Sequence, residues 1–187
     1  MNILILNLPV HAPSVMPYSL CMMNAVLNSE IDANISVLDL NAKYHKKFFK
    51  TFYERLDKDN YFSLLDEFIA KTRSEYPKIS KNAIKGEKPD GYKFIIKQIL
   101  DKKPDYICMS FTYNSQVFFA RSIINELKKL NIKVIIGGPA DLSKIKKEVV
   151  HLQNYKELID YFVDKGFEKF SKKAILDFSI FDKLDYF

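Results

Sequence analysis

The 187-residue chain has no tryptophan, two cysteines and only five glycines. Two cysteines, Cys21 and Cys108, cannot build a disulfide framework, a usage that points to a reducing cytoplasm. Five glycines with seven prolines exclude a collagen-like or low-complexity chain. No apolar run approaches the roughly 18 residues that span a bilayer. The opening residues Met1 to Leu6 carry no basic segment, which argues against a signal peptide. The sequence also lacks GxxxxGK[ST], so a phosphate-cradling P-loop is excluded. The loop after the first apolar run, Asn7-Leu8-Pro9-Val10-His11-Ala12-Pro13-Ser14, contains no glycine, which excludes the usual dinucleotide turn. Nor does it hold the paired acids of a receiver domain.

What is present is a large apolar inventory. Hydrophobic residues make up 48% of the chain, with 15 Phe and 11 Tyr, enough for a sizeable core. The net charge of +6 is unevenly placed. Residues 41–103 hold 16 Lys/Arg against 9 Asp/Glu, leaving 13 against 14 elsewhere. Nearly all the excess is lysine without an arginine cluster, which fits the solvated face of amphipathic helices and argues against nucleic acid as a partner.

Four short apolar runs read as strands: 2–8, 35–40, 106–111 and 133–136. Continuous rather than alternating runs fit strands buried on both faces of a parallel sheet. Helical spacing appears over about 19–29, in Phe48, Phe49, Phe52, Tyr53 and Leu56, and in Phe62, Leu65, Phe68 and Ile69. It returns over 92–100, 120–130 and 155–163, with Gly166 as a stop. Asp57 to Asn60 marks a break, the loop after strand one carries Pro9, Pro13 and Pro17, and residues 76–91 read as a long polar loop. Alternating strands and helices predict a doubly wound parallel α/β sheet of Rossmann or flavodoxin type over 1–176, with a helical insertion at about 44–91. Ile5, Leu38, Ile107 and Ile135 should then be buried on neighbouring strands. Residues 177–187 read as a linker or docking tail.

Ligands of such sheets bind beyond the carboxyl ends of the strands. After the third strand, Ser110-Phe111-Thr112-Tyr113-Asn114-Ser115-Gln116 gathers hydroxyl and amide groups. They could cap the next helix through Asn114 or Ser115, or bind a polar ligand. The fourth strand ends in Gly137-Gly138-Pro139, where two glycines permit positive φ and close backbone approach. Asp39-Leu40-Asn41 adds polar groups to the same edge. His11, His45 and His151 show no ligand spacing, and Cys21 and Cys108 read as small core residues.

The order of landmarks carries a resemblance: the N-terminal strand and Pro-containing loop, Tyr18-Ser19-Leu20, Asp39-Leu40-Asn41, Pro104 to Ser110, and Val134-Ile135-Ile136-Gly137-Gly138-Pro139. Together they resemble the N-terminal cobalamin-binding domain of the cobalamin-dependent radical S-adenosylmethionine enzymes, with Asp177 to Phe187 similar to the linker towards the radical domain. The resemblance implies a cobalamin-binding accessory domain whose cofactor contacts are Asn7 and Pro9 beneath the corrin, with Ser110, Thr112, Tyr113 and Asn114 on ring amides or nucleotide tail. Gly137, Gly138 and Pro139 would then let the tail slide between strand and helix. The Asp-x-His-x-x-Gly motif of the mutases is absent, which implies cobalamin without a protein histidine on cobalt. The CxxxCxxC triad is absent too, so the [4Fe–4S] cluster and S-adenosylmethionine would belong to a radical domain, in cis beyond these residues or on a partner protein. The alternative reading is a non-catalytic interaction domain that has lost the cofactor and binds a partner through its basic aromatic helices.

Overall fold

A computed structural model describes the chain except Pro13 to Val15, Leu56, Lys58, Phe187 and the side chain of Leu184. The sequence assignments at Pro13, Ser14, Leu56, Lys58 and Phe187 therefore lie outside the described residues. Five parallel strands form one sheet: β1 (Asn2–Asn7), β2 (Asn34–Asp39), β3 (Tyr106–Ser110), β4 (Lys133–Gly137) and β5 (Val150–His151). Their order is β2-β1-β3-β4-β5, the flavodoxin-like doubly wound arrangement, so the strand order reverses between β1 and β3.

Side chains alternate across the sheet and fill two cores. Leu4, Leu6, Ile107, Met109, Val134 and Ile136 face one side. There they meet α2 (Leu40–Phe48), α4 (Tyr61–Ile84), α5 (Tyr92–Leu100) and α6 (Asn114–Lys129). Ile3, Ile5, Cys108 and Ile135 face the other, against α1 (Tyr18–Glu30) and α7 (Tyr155–Asp164). Burial on both faces is what the unbroken apolar runs encode. Ile5, Leu38, Ile107 and Ile135 are all at most 5% exposed on adjacent or next-nearest strands, as the doubly wound reading requires. Cys21 and Cys108 are both buried. Gly166 takes a positive φ just past the end of α7, where a left-handed residue terminates the helix.

Two sequence expectations change. The first is the loop expected at 76–91: α4 runs unbroken through Pro77 to Ile84. Leu64, Phe68, Thr72, Ile79 and Ala83 form one buried stripe along it, while Pro77 lies on the solvent face. Tertiary burial of that stripe outweighs the hydrogen bond that a proline removes from the ladder. Tyr76 locks the same turn, its hydroxyl donating to Nε2 of His45 at 2.6 Å while His45 Nδ1 donates to the Asn41 carbonyl at 2.7 Å. The second is a fifth strand, too short at two residues to leave a periodic signal. A short helix, α3 (Lys50–Arg55), completes the basic segment.

Residues 181–186 pack back against the domain. Phe181 is buried on the α1/α7 side, and a 3₁₀ turn at Lys183–Asp185 carries the chain to the end of β2. No described helix is long and apolar enough to cross a membrane.

Candidate functional site at the carboxyl edge of the sheet

At the β1/β2 end of the edge, Asn7 is buried and fully engaged. Its Nδ2 donates to Asp39 Oδ1 at 2.9 Å and to His11 Nε2 at 3.3 Å, and its Oδ1 accepts from Gln116 Nε2 at 2.8 Å. Gln116 also donates to the Leu8 carbonyl, while its Oε1 accepts from the backbone N–H groups of Thr112 and Tyr113. Asp39 Oδ1 caps α2 by accepting from the Asn41 and Ala42 N–H groups, and Oδ2 accepts from the Tyr186 hydroxyl at 2.7 Å. Asn41 Oδ1 accepts from the His11 N–H, leaving Asn41 Nδ2 enclosed without a partner. Burial holds the His11 imidazole below its ordinary pKa, against the pull of Asp39, so the ring is neutral and accepts from Asn7. The centres of the His11 ring and the exposed Tyr113 ring are 5.0 Å apart, the two rings tilted by 32°. Pro9 is buried in the same loop.

The hydroxyl and amide cluster after β3 therefore serves the fold in large part. Tyr113, not Asn114 or Ser115, occupies the cap position of α6, with Gln116 answering it. Ser115 Oγ donates to the Val10 carbonyl, and Asn114 Oδ1 accepts from the Asp141 N–H. Gln116 is the organiser of this loop. Its sequence signal is its place three residues beyond the cap residue, the position of the glutamine in a capping box.

At the β3/β4 end the edge is open. A cleft of about 310 Å³ lies between α1 and α7, with Cys108, Ser110, Ile135 and Gly137 at its base and Met23 and Leu158 among its walls. Gln153 and Asn154, in the turn before α7, supply amide groups, and Tyr155 a phenol. This turn is rigid: Asn154 Oδ1 accepts from the Glu157 N–H, and Glu157 accepts from the Gln153 N–H and the Asn154 amide. The pairing of Asn154 with Glu157 three residues on caps α7, the helix expected over 155–163. Burial pushes the Cys108 thiol far above its ordinary pKa, which leaves it inert.

Of the nine residues expected to bind a ligand, Ser110, Gly137 and Gly138 line this cleft. Thr112, Tyr113, Asn114 and Pro139 are exposed on the loops around the edge, whereas Asn7 and Pro9 are buried at the other end. The two glycines have reasons internal to the chain. A Cβ on Gly137 would sit 2.7 Å from the Leu152 carbonyl oxygen, and one on Gly138, at φ +104°, 2.6 Å from the Phe111 nitrogen. The close approach they permit is that of the chain to itself.

The basic segment forms a second cleft, of about 560 Å³, lined by Lys43, Lys46, Lys47, Lys50, Phe94 and Asp185 among others. Lys43 and Lys46 hold the buried Asp185 carboxylate at 3.1 and 2.9 Å. Lys47 lies 4.3 Å over the Phe94 ring.

No protein-family model, curated protein or solved structure matches this chain.

Proposed function

We propose that the chain is a cobalamin-binding accessory domain that serves a radical S-adenosylmethionine enzyme and is not catalytic alone. The observation that carries the reading is the cleft at the carboxyl ends of β3 and β4, open between α1 and α7. Its volume falls in the range of small-molecule sites, and its composition is that of such sites: apolar walls with a few fixed polar groups. Met23, Ile135 and Leu158 would pack against a flat heterocycle, while Ser110, Gln153 and Asn154 would hydrogen-bond its polar substituents. Thr112, Tyr113 and Asn114, exposed on the loop after β3, would meet the parts of the ligand that remain outside.

Cobalamin, when bound, supplies a cobalt centre that carries alkyl groups. This chain's own contribution is to hold and orient that group. His11 is committed to Asn7 and Ala12 and lies outside the cleft, in keeping with a site that offers cobalt no histidine. Cys21 and Cys108 are buried in α1 and β3 with raised thiol pKa values, so a partner domain would supply the thiolates for an iron–sulfur cluster.

The test is retention. Full-length protein mixed with hydroxocobalamin and desalted is expected to keep corrin absorbance, and Leu158→Trp, which fills the cleft, is expected to lose it. Parent protein without retained absorbance would end the cofactor reading. The lysine-lined cleft supports the second reading, a partner-binding domain, in which the parent retains no corrin and charge reversal at Lys47 weakens capture of an acidic partner.

A further inference from the structure

The buried network at β1/β2 does not end at Asp39. The Tyr186 hydroxyl donates to Asp39 Oδ2 at 2.7 Å. One residue earlier, the Asp185 carboxylate sits 6% exposed between Lys43 and Lys46, and the Asp185 carbonyl accepts from the Tyr53 hydroxyl at 3.2 Å. Four groups from β2, α2 and α3 thus grip two consecutive residues of the tail, one acidic and one phenolic. The grip is chemically selective: two ammonium groups take the carboxylate, and a carboxylate takes the phenol's proton donor.

From Asp39 the hydrogen bonds continue without a gap. Asp39 accepts from Asn7, Asn7 accepts from Gln116, and Gln116 accepts from the N–H groups of Thr112 and Tyr113. Each side chain in the series is buried, where hydrogen bonds polarise one another and a missing partner is costly.

We propose that Asp39, Lys43, Lys46 and Tyr53 form a binding site for an acidic–phenolic residue pair, filled by the chain's own Asp185 and Tyr186, and that its filling orders the loop after β3. This inference does not rest on the cofactor reading, since the network is complete without a ligand. Its consequence is that lifting the tail loosens Thr112 and Tyr113 from a distance, through Asp39, Asn7 and Gln116.

The test is amide hydrogen exchange of the full chain, followed by nuclear magnetic resonance without cofactor. Tyr186→Phe keeps the ring that packs near Phe181 and removes only the hydroxyl. Exchange at the Thr112 and Tyr113 amides is expected to quicken roughly tenfold, the lower end of the effect of one lost hydrogen bond to a charged group, while Cys108 and Ile135 keep their rates. Asp185→Lys is expected to act in the same direction, and adding Lys43→Glu and Lys46→Glu to it is expected to restore slow exchange. Lys50→Gln, in the same basic cleft but paired with the exposed Glu54, is expected to change nothing. Unchanged loop exchange in Tyr186→Phe would overturn the proposal. So would a rise at Thr112 and Tyr113 no larger than that at Ile135, or failure of the charge-reversed variant to restore the rates.

Discussion

The two halves of one sheet edge differ in what fills them. Around β1 and β2, polar side chains are numerous and nearly all are spent on one another: Asn7, Asp39 and Gln116 are buried and bonded at both ends, and Tyr186 closes the set. Around β3 and β4 the polar groups are few and the space is open. A density of hydrogen-bonding residues therefore marks the structural half, and the sparse, apolar half is the one that keeps an open cleft. The lesson concerns buried polar groups, which must be satisfied wherever they fall and so tend to consume one another when clustered.

The sharpest way to break this comparison is at Gly138. A Gly138→Val side chain would collide with the Phe111 backbone at a φ that valine does not adopt, so we expect destabilisation of more than about 3 kcal/mol in urea unfolding. The substitution therefore cannot serve as a clean probe of binding, and a Gly138→Val protein as stable as the parent would contradict the packing described for the turn. Next in size is Asn7→Ala, which strands Gln116 and Asp39 contacts in the interior. An expected loss of about 2–3 kcal/mol, measured in the same way, would mark the β1/β2 half as structural.

Smaller per pH unit than either substitution is the effect of pH. Burial lowers the His45 pKa from 6.5 to about 3. Folding therefore disfavours its protonated form, and below about pH 6.5 the unfolded chain takes up a proton that the folded chain refuses. Stability is expected to fall by up to about 1.4 kcal/mol per pH unit between about 6.5 and 3 on this account. In His45→Phe that part of the slope should vanish, whatever the variant's stability at pH 7; urea titrations at several pH values measure it. Smallest of all, Leu158→Trp on the wall of the cleft, where the added bulk has the open cleft to enter, is expected to cost about 1–2 kcal/mol while removing ligand retention, the reverse of the Asn7→Ala pattern.

The fold was legible because both faces of the sheet are buried: runs such as Ile3 to Leu6 and Val134 to Ile136 have no other sensible place. The cleft was legible only as a position, the carboxyl ends of the strands. Asn7 and Gln116 have the composition of a ligand shell, and only their partners, 109 residues apart in sequence, reveal them as a network. The glycine pair was noticed for the right physical reason, close approach, but the approaching groups are Phe111 and Leu152. The helix that walls the cleft is legible over 155–163, but its amide turn at Gln153 and Asn154 has no sequence signal because β5 before it is two residues long. The helix through Pro77 escaped for a related reason, since the burial that stabilises α4 comes from His45, Phe49 and other partners distant in sequence.

The most direct measurement is a titration of ¹⁵N-labelled full-length protein with hydroxocobalamin, followed residue by residue. The account predicts saturable shifts at the amides of Ser110, Gly137, Gly138 and Asn154, with those of Leu38 and Asp39 in the closed half unmoved. Shifts confined to the closed half, or none at saturating cobalamin, would contradict it.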